Sequence, residues 1–245
     1  MRGLFVTGTD TGVGKTVLSA ALLAAIAAAG EPVRAHKPVV TGLGEESPSG
    51  EQPGGEWPAD HVLLGDAAGM PAEQVAPLRY EPAVSPHLAA RLAGERIDPP
   101  RLLEAARTAA TAAAAARETL IVEGVGGLLT PLADDYSVRD LAVALGLPML
   151  IAARAGLGTI NHTLLTLAAA RAAGLQVLAV VLTPWPQHPG VIERSNRETI
   201  ARLGEIEVET LGHVQRPTVD NLARVGAELP WRDWAGAGLR SHAPE

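Results

Sequence analysis

Gly8-Thr9-Asp10-Thr11-Gly12-Val13-Gly14-Lys15-Thr16 stands between an apolar run, Leu4 to Thr7, and an alanine-rich run that begins at Lys15. Strand, glycine-rich turn and helix in that order are what a phosphate-binding loop requires. Glycine lets backbone amides turn toward phosphate oxygens with no Cβ in the way, and the helix start adds its positive end. Lys15 is suited to neutralise the β- and γ-phosphates of a nucleotide, and the Thr16 hydroxyl to meet Mg2+. Counted from Gly8, the spacing is one residue longer than G-x-x-x-x-G-K-[ST]. The strand before it and the helix after it therefore carry the identification, against an incidental Gly-Lys-Thr behind a glycine-rich turn.

Outward from this loop, short β-branched runs alternate with longer alanine- and leucine-rich segments. Strands are expected at Leu4 to Thr7, Pro32 to His36, Thr119 to Glu123, Pro148 to Ala152, Gln176 to Leu182 and Glu207 to His213. Helices are expected at Lys15 to Ala29, Pro100 to Arg117, Thr159 to Ala173 and Val191 to Leu203. That alternation predicts an α/β fold: a P-loop NTPase-type parallel sheet flanked by helices, in a single domain. Residues 1–234 form that domain in this reading, with 235–245 a flexible C-terminal tail. Gly44 to Pro58, rich in glycine, proline, serine and acid, reads as a loop within the domain.

Composition narrows the function. With 245 residues, 47% hydrophobic and 19% charged, the chain has apolar material for a sizeable core. A formal net charge of −7 gives no general attraction to nucleic acid or an anionic membrane, so a small-molecule ligand is expected. The absence of cysteine excludes disulfides, thiolate metal sites and a cysteine nucleophile. No secretory pattern precedes the first strand, and Gly146 and Pro148 interrupt the most apolar stretch, Leu141 to Ala153. A cytoplasmic protein is expected.

A phosphate loop also needs an acid at a nearby strand tip to hold the metal. Thr119-Leu120-Ile121-Val122-Glu123-Gly124-Val125-Gly126-Gly127 offers Glu123 there, followed by glycines that would let a ligand approach the backbone. Ser85-Pro86-His87 reads as a helix N-terminus with local hydrogen bonds, with no acid to complete a nucleophilic triad.

Five segments then resemble one family. Gly8 to Thr16 is similar to the extended phosphate loop of dethiobiotin synthetases, and His36-Lys37-Pro38-Val39-Val40-Thr41-Gly42 to their lysine motif. Ser85-Pro86-His87, Val122 to Gly127 and Leu157-Gly158-Thr159-Ile160-Asn161-His162 match three further elements, in family order. The resemblance implies that 7,8-diaminononanoate, CO2 and ATP give dethiobiotin, ADP and phosphate. It also implies that Lys37, Lys15 and Thr11 act at the reacting groups, and that Thr11, Lys37, Thr41, Gly158, Thr159 and Asn161 bind substrate. Thr16, Asp60 and Glu123 would gather around Mg2+, with Asp66 the alternative to Asp60. Nucleotide contacts would come from Gly12, Val13, Gly14, Lys15, Thr16, Val17, Asp60, Glu123, Gly124, Val125 and Gly126, and a base pocket from Thr183, Pro184, Gln215, Arg216 and Pro217. A homodimer is implied, with the helix start at Gly158 to Asn161 reaching across a twofold axis to the substrate carboxylate.

Three positions depart from the family pattern. Gly12 stands where several members carry an acid, Thr183-Pro184 where an asparagine often reads adenine, and Gln215-Arg216-Pro217 where an apolar segment is expected. Nucleobase preference is left open by these changes. Two rival readings share the loop. A partitioning-type ATPase switch carries a signature lysine five residues before the loop lysine, where this chain has Asp10. A P-loop amidoligase of the glutamine-dependent kind takes ammonia from a cysteine glutaminase, which this chain lacks.

Overall fold

The computed structural model describes residues 2–43 and 57–237. Most of the expected loop at Gly44 to Pro58, and the end of the expected tail, lie outside the described residues. The first half of the chain runs β1 (Gly3–Gly8), α1 (Lys15–Ala28), β2 (Val33–His36), β3 (Val39–Val40), α2 (Asp60–Ala68), α3 (Ala72–Val75), β4 (Leu78–Arg79), α4 (Pro86–Leu92) and α5 (Pro99–Ala116). The second half runs β5 (Thr119–Gly127), β6 (Pro131–Ala133), β7 (Tyr136–Ser137), α6 (Val138–Leu145), β8 (Met149–Ala153), α7 (Thr159–Ala172), β9 (Val177–Trp185), α8 (Val191–Gly204), β10 (Glu207–Gly212), α9 (Val219–Gly226) and α10 (Trp231–Ala237).

Among the described residues, six strands pair in the order β10-β9-β8-β1-β5-β2, and every pairing is parallel. Parallel strands need crossover helices, which cover both faces of the sheet. The two-residue repeat of each strand divides its apolar side chains between two cores. Leu4 and Val6 pack with Leu18 and Leu22 of α1, Leu222 of α9, and Trp231 and Trp234 of α10. Phe5, between them in sequence, joins Leu102 of α5, Leu141 of α6 and Leu167 of α7 on the other face. Ile121 and Leu150 fall on the α1 side, and Val122 and Ile151 on the opposite side.

The phosphate loop leaves β1 near the centre of this sheet, at the carboxyl ends of the strands. Ligands of open α/β sheets bind at that edge. β5 extends to Gly127, four residues beyond the expected strand, because Gly8 of β1 pairs with Gly127. Helix α10 continues through Ala237 with Ala235 fully buried, so the expected tail begins inside a packed helix. No described helix is long and apolar enough to cross a membrane.

Candidate active site

Packing, as much as phosphate chemistry, dictates the glycines of the loop. A Cβ on Gly8 would lie 2.7 Å from Val13 Cγ2 and 3.0 Å from Lys15 Cδ. Gly14 has φ +88°, where side chains are disfavoured, and a Cβ there would meet Thr183 Cγ2 at 2.7 Å. Val13 is buried beneath the loop, while Thr11 and Gly12 are exposed on its crown. The Thr11 amide donates to Asp10 Oδ1 at 2.7 Å, and Lys15 Nζ donates to the Asp10 carbonyl at 2.8 Å.

Beside the loop lies a charged cluster. β5 carries Glu123, 0% exposed, at its register with Val6 of β1. The edge strand β2 ends at His36, so Lys37 leaves the sheet next to it, 3% exposed, with its amide bonded to the Val75 carbonyl at 2.8 Å. The Lys37 ammonium donates to Glu123 Oε1 and to Asp60 Oδ2, the latter at 2.9 Å. Thr16 Oγ1 donates to the same Glu123 Oε1 at 2.9 Å. Glu123 Oε2 is buried with no hydrogen-bond partner among the described residues. Asp60 opens α2 and keeps 46% of its side chain exposed, so it forms the solvent side of the cluster. Asp66, the alternative acid, is exposed later on the same helix and bonds to none of this group.

These neighbours set the charge states. Burial alone would lower Lys37, but the Asp60 and Glu123 carboxylates and their hydrogen bonds hold it above its ordinary value. For Asp60, burial would raise the carboxyl; the Lys37 ammonium and its hydrogen bond outweigh it and hold the group below its usual range. Lys15 goes the other way. Burial first, then repulsion from Lys37, brings it down to about 8 against the pull of Glu123, Asp60 and Asp10. The cluster is thus one firmly charged lysine and one poised lysine beside Asp60 and Glu123.

Other expected site residues are placed differently from one another. Thr41 follows β3 and is half-buried, and Val17 packs into the α1 core. Two of the glycines after Glu123 are required by the protein's own packing. A Cβ on Gly124 would meet Val138 Cγ1 at 2.9 Å, and one on Gly126 would meet Thr130 Oγ1 at 2.5 Å. They make room for the protein's own side chains. Thr183, expected at the base, is 2% exposed with its methyl against Gly14, while Pro184, Gln215 and Arg216 are exposed and Pro217 is half-buried.

At the start of α7, Gly158 occupies the cap position with φ +88°. Thr159 is buried with its hydroxyl 3.4 Å from that of Thr163, so that hydroxyl is turned into the fold, whereas Asn161 is exposed. Neither side chain caps the helix. Ser85 stands at the cap position of α4 without a side-chain bond, contrary to the expected local hydrogen bonding, and His87 Nδ1 is buried and unpartnered among the described residues.

Two site neighbours were not picked out from the sequence. Arg154 directly follows β8 and stands over Gly12, and Asn196 of α8 donates to the Ala155 and Gly156 carbonyls at 2.9 and 3.0 Å. A cation straight after an apolar strand was the available signal for Arg154. Asn196 lies 41 and 40 residues from the two carbonyls it binds, and nothing local marks it. A groove of about 790 Å3 along α5 and Tyr136 shares no residue with the phosphate loop or the charged cluster.

Comparison with known proteins bears on this geometry directly. A family model described as an AAA domain matches residues 2–221. The ATP-dependent dethiobiotin synthetase BioD of Anaeromyxobacter sp. (strain Fw109-5) is 42% identical over 215 residues, covering 84% of this chain and 91% of the relative. That of Mycobacterium sp. (strain KMS) is 38% identical over 240 residues, covering 98% of this chain and 100% of the relative. Among solved structures, a ParA family ATPase from Chlorobium tepidum matches with TM-score 0.51 and 14% identity, over 97% of this chain and 100% of that one. The MinC:MinD cell division complex of Aquifex aeolicus matches with TM-score 0.53 and 14% identity, over 100% and 98% of the two chains. At that identity the structural matches speak for the P-loop fold alone, and the sequence relatives decide the family. With its phosphate loop, its buried Lys37 and Glu123, and these relatives over most of its length, the chain belongs to the ATP-dependent dethiobiotin synthetase family.

Proposed function

We propose that this chain closes the ureido ring of dethiobiotin from 7,8-diaminononanoate, CO2 and ATP. One amine of the substrate takes up CO2 and loses a proton, giving a carbamate. A carbamate oxygen attacks the γ-phosphorus, ADP leaves, and the second amine attacks the carbonyl carbon and expels phosphate as the ring closes. Such a reaction asks the protein chiefly for alignment and charge neutralisation. The observation that carries the reading is Lys37, an ammonium buried between Asp60 and Glu123 beside the phosphate loop. In this reading it contacts the carbamate and the transferring phosphoryl group, with Lys15 on the phosphate chain and Thr11 and Thr41 on the substrate.

Magnesium fits the donor set. Two carboxylates and a hydroxyl suit a hard cation that takes its remaining oxygens from phosphate and water. Glu123 supplies a buried oxygen with no hydrogen-bond partner among the described residues. Thr16, Asp60 and Glu123 would hold the ion, which would neutralise phosphate charge. The test is product analysis after incubation with diaminononanoate, bicarbonate, Mg2+ and ATP. Dethiobiotin, ADP and phosphate in equal amounts are expected. Nucleotide hydrolysis without dethiobiotin would favour a switch ATPase instead.

The active form in this reading is a cytoplasmic homodimer with shared sites. Leu157 is 95% exposed beside Gly158, and Leu165 lies exposed further along α7, an apolar surface of the kind that interfaces cover. The amides of Ile160 and Asn161 have no backbone acceptor among the described residues and suit a carboxylate. Mixing inactive Lys37→Ala and Asn161→Ala proteins and allowing subunit exchange should restore about a quarter of the sites, because half of the pairs are mixed and each rebuilds one site. Verified exchange with no recovery would place Asn161 in the site of its own chain or in none.

A further inference from the structure

We infer that Arg154 is a phosphate-binding residue of this enzyme, its guanidinium reaching over Gly12 to the nucleotide's phosphate chain near the β–γ junction. The inference rests on the nucleotide reading of the loop and adds a residue to it. β8 pairs with β1 so that Ala152 stands opposite Gly8, the residue at which the phosphate loop begins. Arg154 therefore leaves the sheet beside the loop, two residues on. A Cβ built on Gly12 would lie 3.2 Å from Arg154 Nη2, so the guanidinium stands where a side chain at position 12 would begin. Gly12 itself has φ +68°, and its missing side chain leaves that space to the arginine.

The backbone that follows this arginine is held in place. Ala155 is buried, and the Ala155 and Gly156 carbonyls both accept from the buried Asn196 amide. Its charged end is uncommitted. Arg154 is exposed, and among the described residues no carboxylate lies within 4.0 Å of it. The nearest acid of the loop, Asp10, accepts the Thr11 amide. A planar guanidinium matches paired phosphate oxygens, and it would lie over a loop whose amides face the same anion. Lys15 and Lys37 approach from the buried side of the loop and Arg154 from the exposed side. Negative charge grows at the bridging oxygen as the γ-phosphoryl group departs, where a guanidinium on the exposed side would stabilise it.

The experiment measures Mg-ATP and Mg-ADP binding without diamine, by calorimetry, for wild type, Arg154→Ala, Arg154→Gln and Arg154→Lys, followed by steady-state kinetics. Losing a charge-assisted contact should weaken ATP about 10- to 100-fold and ADP less, with partial recovery in Arg154→Lys. kcat/KM for ATP should fall in parallel, with KM for the diamine unchanged. The side chain is exposed, so melting temperatures should match wild type; if Arg154→Ala melts lower, Arg154→Gln decides. ATP affinity within about twofold of wild type in the folded variants, or a loss confined to KM for the diamine, overturns the inference. A wild-type protein that makes no dethiobiotin would sink the ring-closure reading, while lost ATP affinity in Arg154→Ala would leave this one standing.

Discussion

On the β5 side of the phosphate loop Lys37 and Glu123 are buried and bonded to each other, whereas on the β8 side Arg154 and Arg216 are exposed and their side chains bond to none of the described residues. The first arrangement takes charges out of water and so makes their mutual pairing part of the fold. The second leaves charges solvated, where they cost the fold little. One flank therefore couples chemistry to stability, and the other separates them. Substitutions on the two flanks should differ in kind as well as in size.

The largest effect is expected at Lys37. Lys37→Ala should lower turnover by about 10²- to 10³-fold or more, because a cation on developing phosphoryl charge is lost. It should also lower stability by about 3 kcal/mol, since Glu123 is left as a buried carboxylate without its cation. Denaturant unfolding of Lys37→Ala and of Lys37→Ala with Glu123→Gln separates the two losses. The double variant should recover stability and stay inactive. If Lys37→Ala melts like wild type, the buried flank is not coupled to the fold in this way.

The next effect follows from Lys15. Its ammonium, brought down to about 8 chiefly by burial, must be charged to hold phosphate. Nucleotide affinity should thus fall by up to about tenfold per pH unit above that value, and binding there should take up a proton, read from calorimetry in buffers of different ionisation enthalpy. The stability effect has the opposite sense. The unfolded chain, with Lys15 near 10.5, binds more protons between about 8 and 10.5, so this group's burden on the fold is full below 8 and is relieved as pH rises. Affinity flat to pH 10 would show that Lys15 is not the poised group.

The smallest effect belongs to the open flank. Thr183 is spent on packing against Gly14, and Gln215 and Arg216 are exposed, so little is arranged to read one base. kcat/KM for the four common nucleoside triphosphates should lie within about tenfold of one another, because discrimination needs buried polar groups that the wrong base leaves unpaired. A preference for ATP above about 100-fold would mean that this flank reads the base closely after all.

Much of this was legible in the chain itself. The six sheet strands and the four expected helices stand within a few residues of where period and composition put them. Apart from α4, whose start Ser85-Pro86-His87 marked, the smaller helices and the two-stranded pairs β3–β4 and β6–β7 were not placed beforehand, because such short runs carry too little periodicity to read. The phosphate-loop pattern singled out Thr16 and Glu123, resemblance to the family added Lys37 and Asp60, and the structure brings these four together. It also turns the Thr159 hydroxyl inward and fills the space at Gly124 and Gly126 with Val138 and Thr130.

What the sequence by itself determined was local or periodic: the phosphate loop, the alternation that buries both faces of each strand, and the motifs that name the family. Tertiary structure alone decided which side chains meet across the sheet's edge. Asp60 against Lys37, Arg154 over Gly12, Thr183 against Gly14 and Asn196 beneath the β8 exit all join residues far apart in sequence. The physical reason is that such contacts depend on strand order and register, which place β8 and β5 on either side of β1, and neither is written in any single segment of the chain.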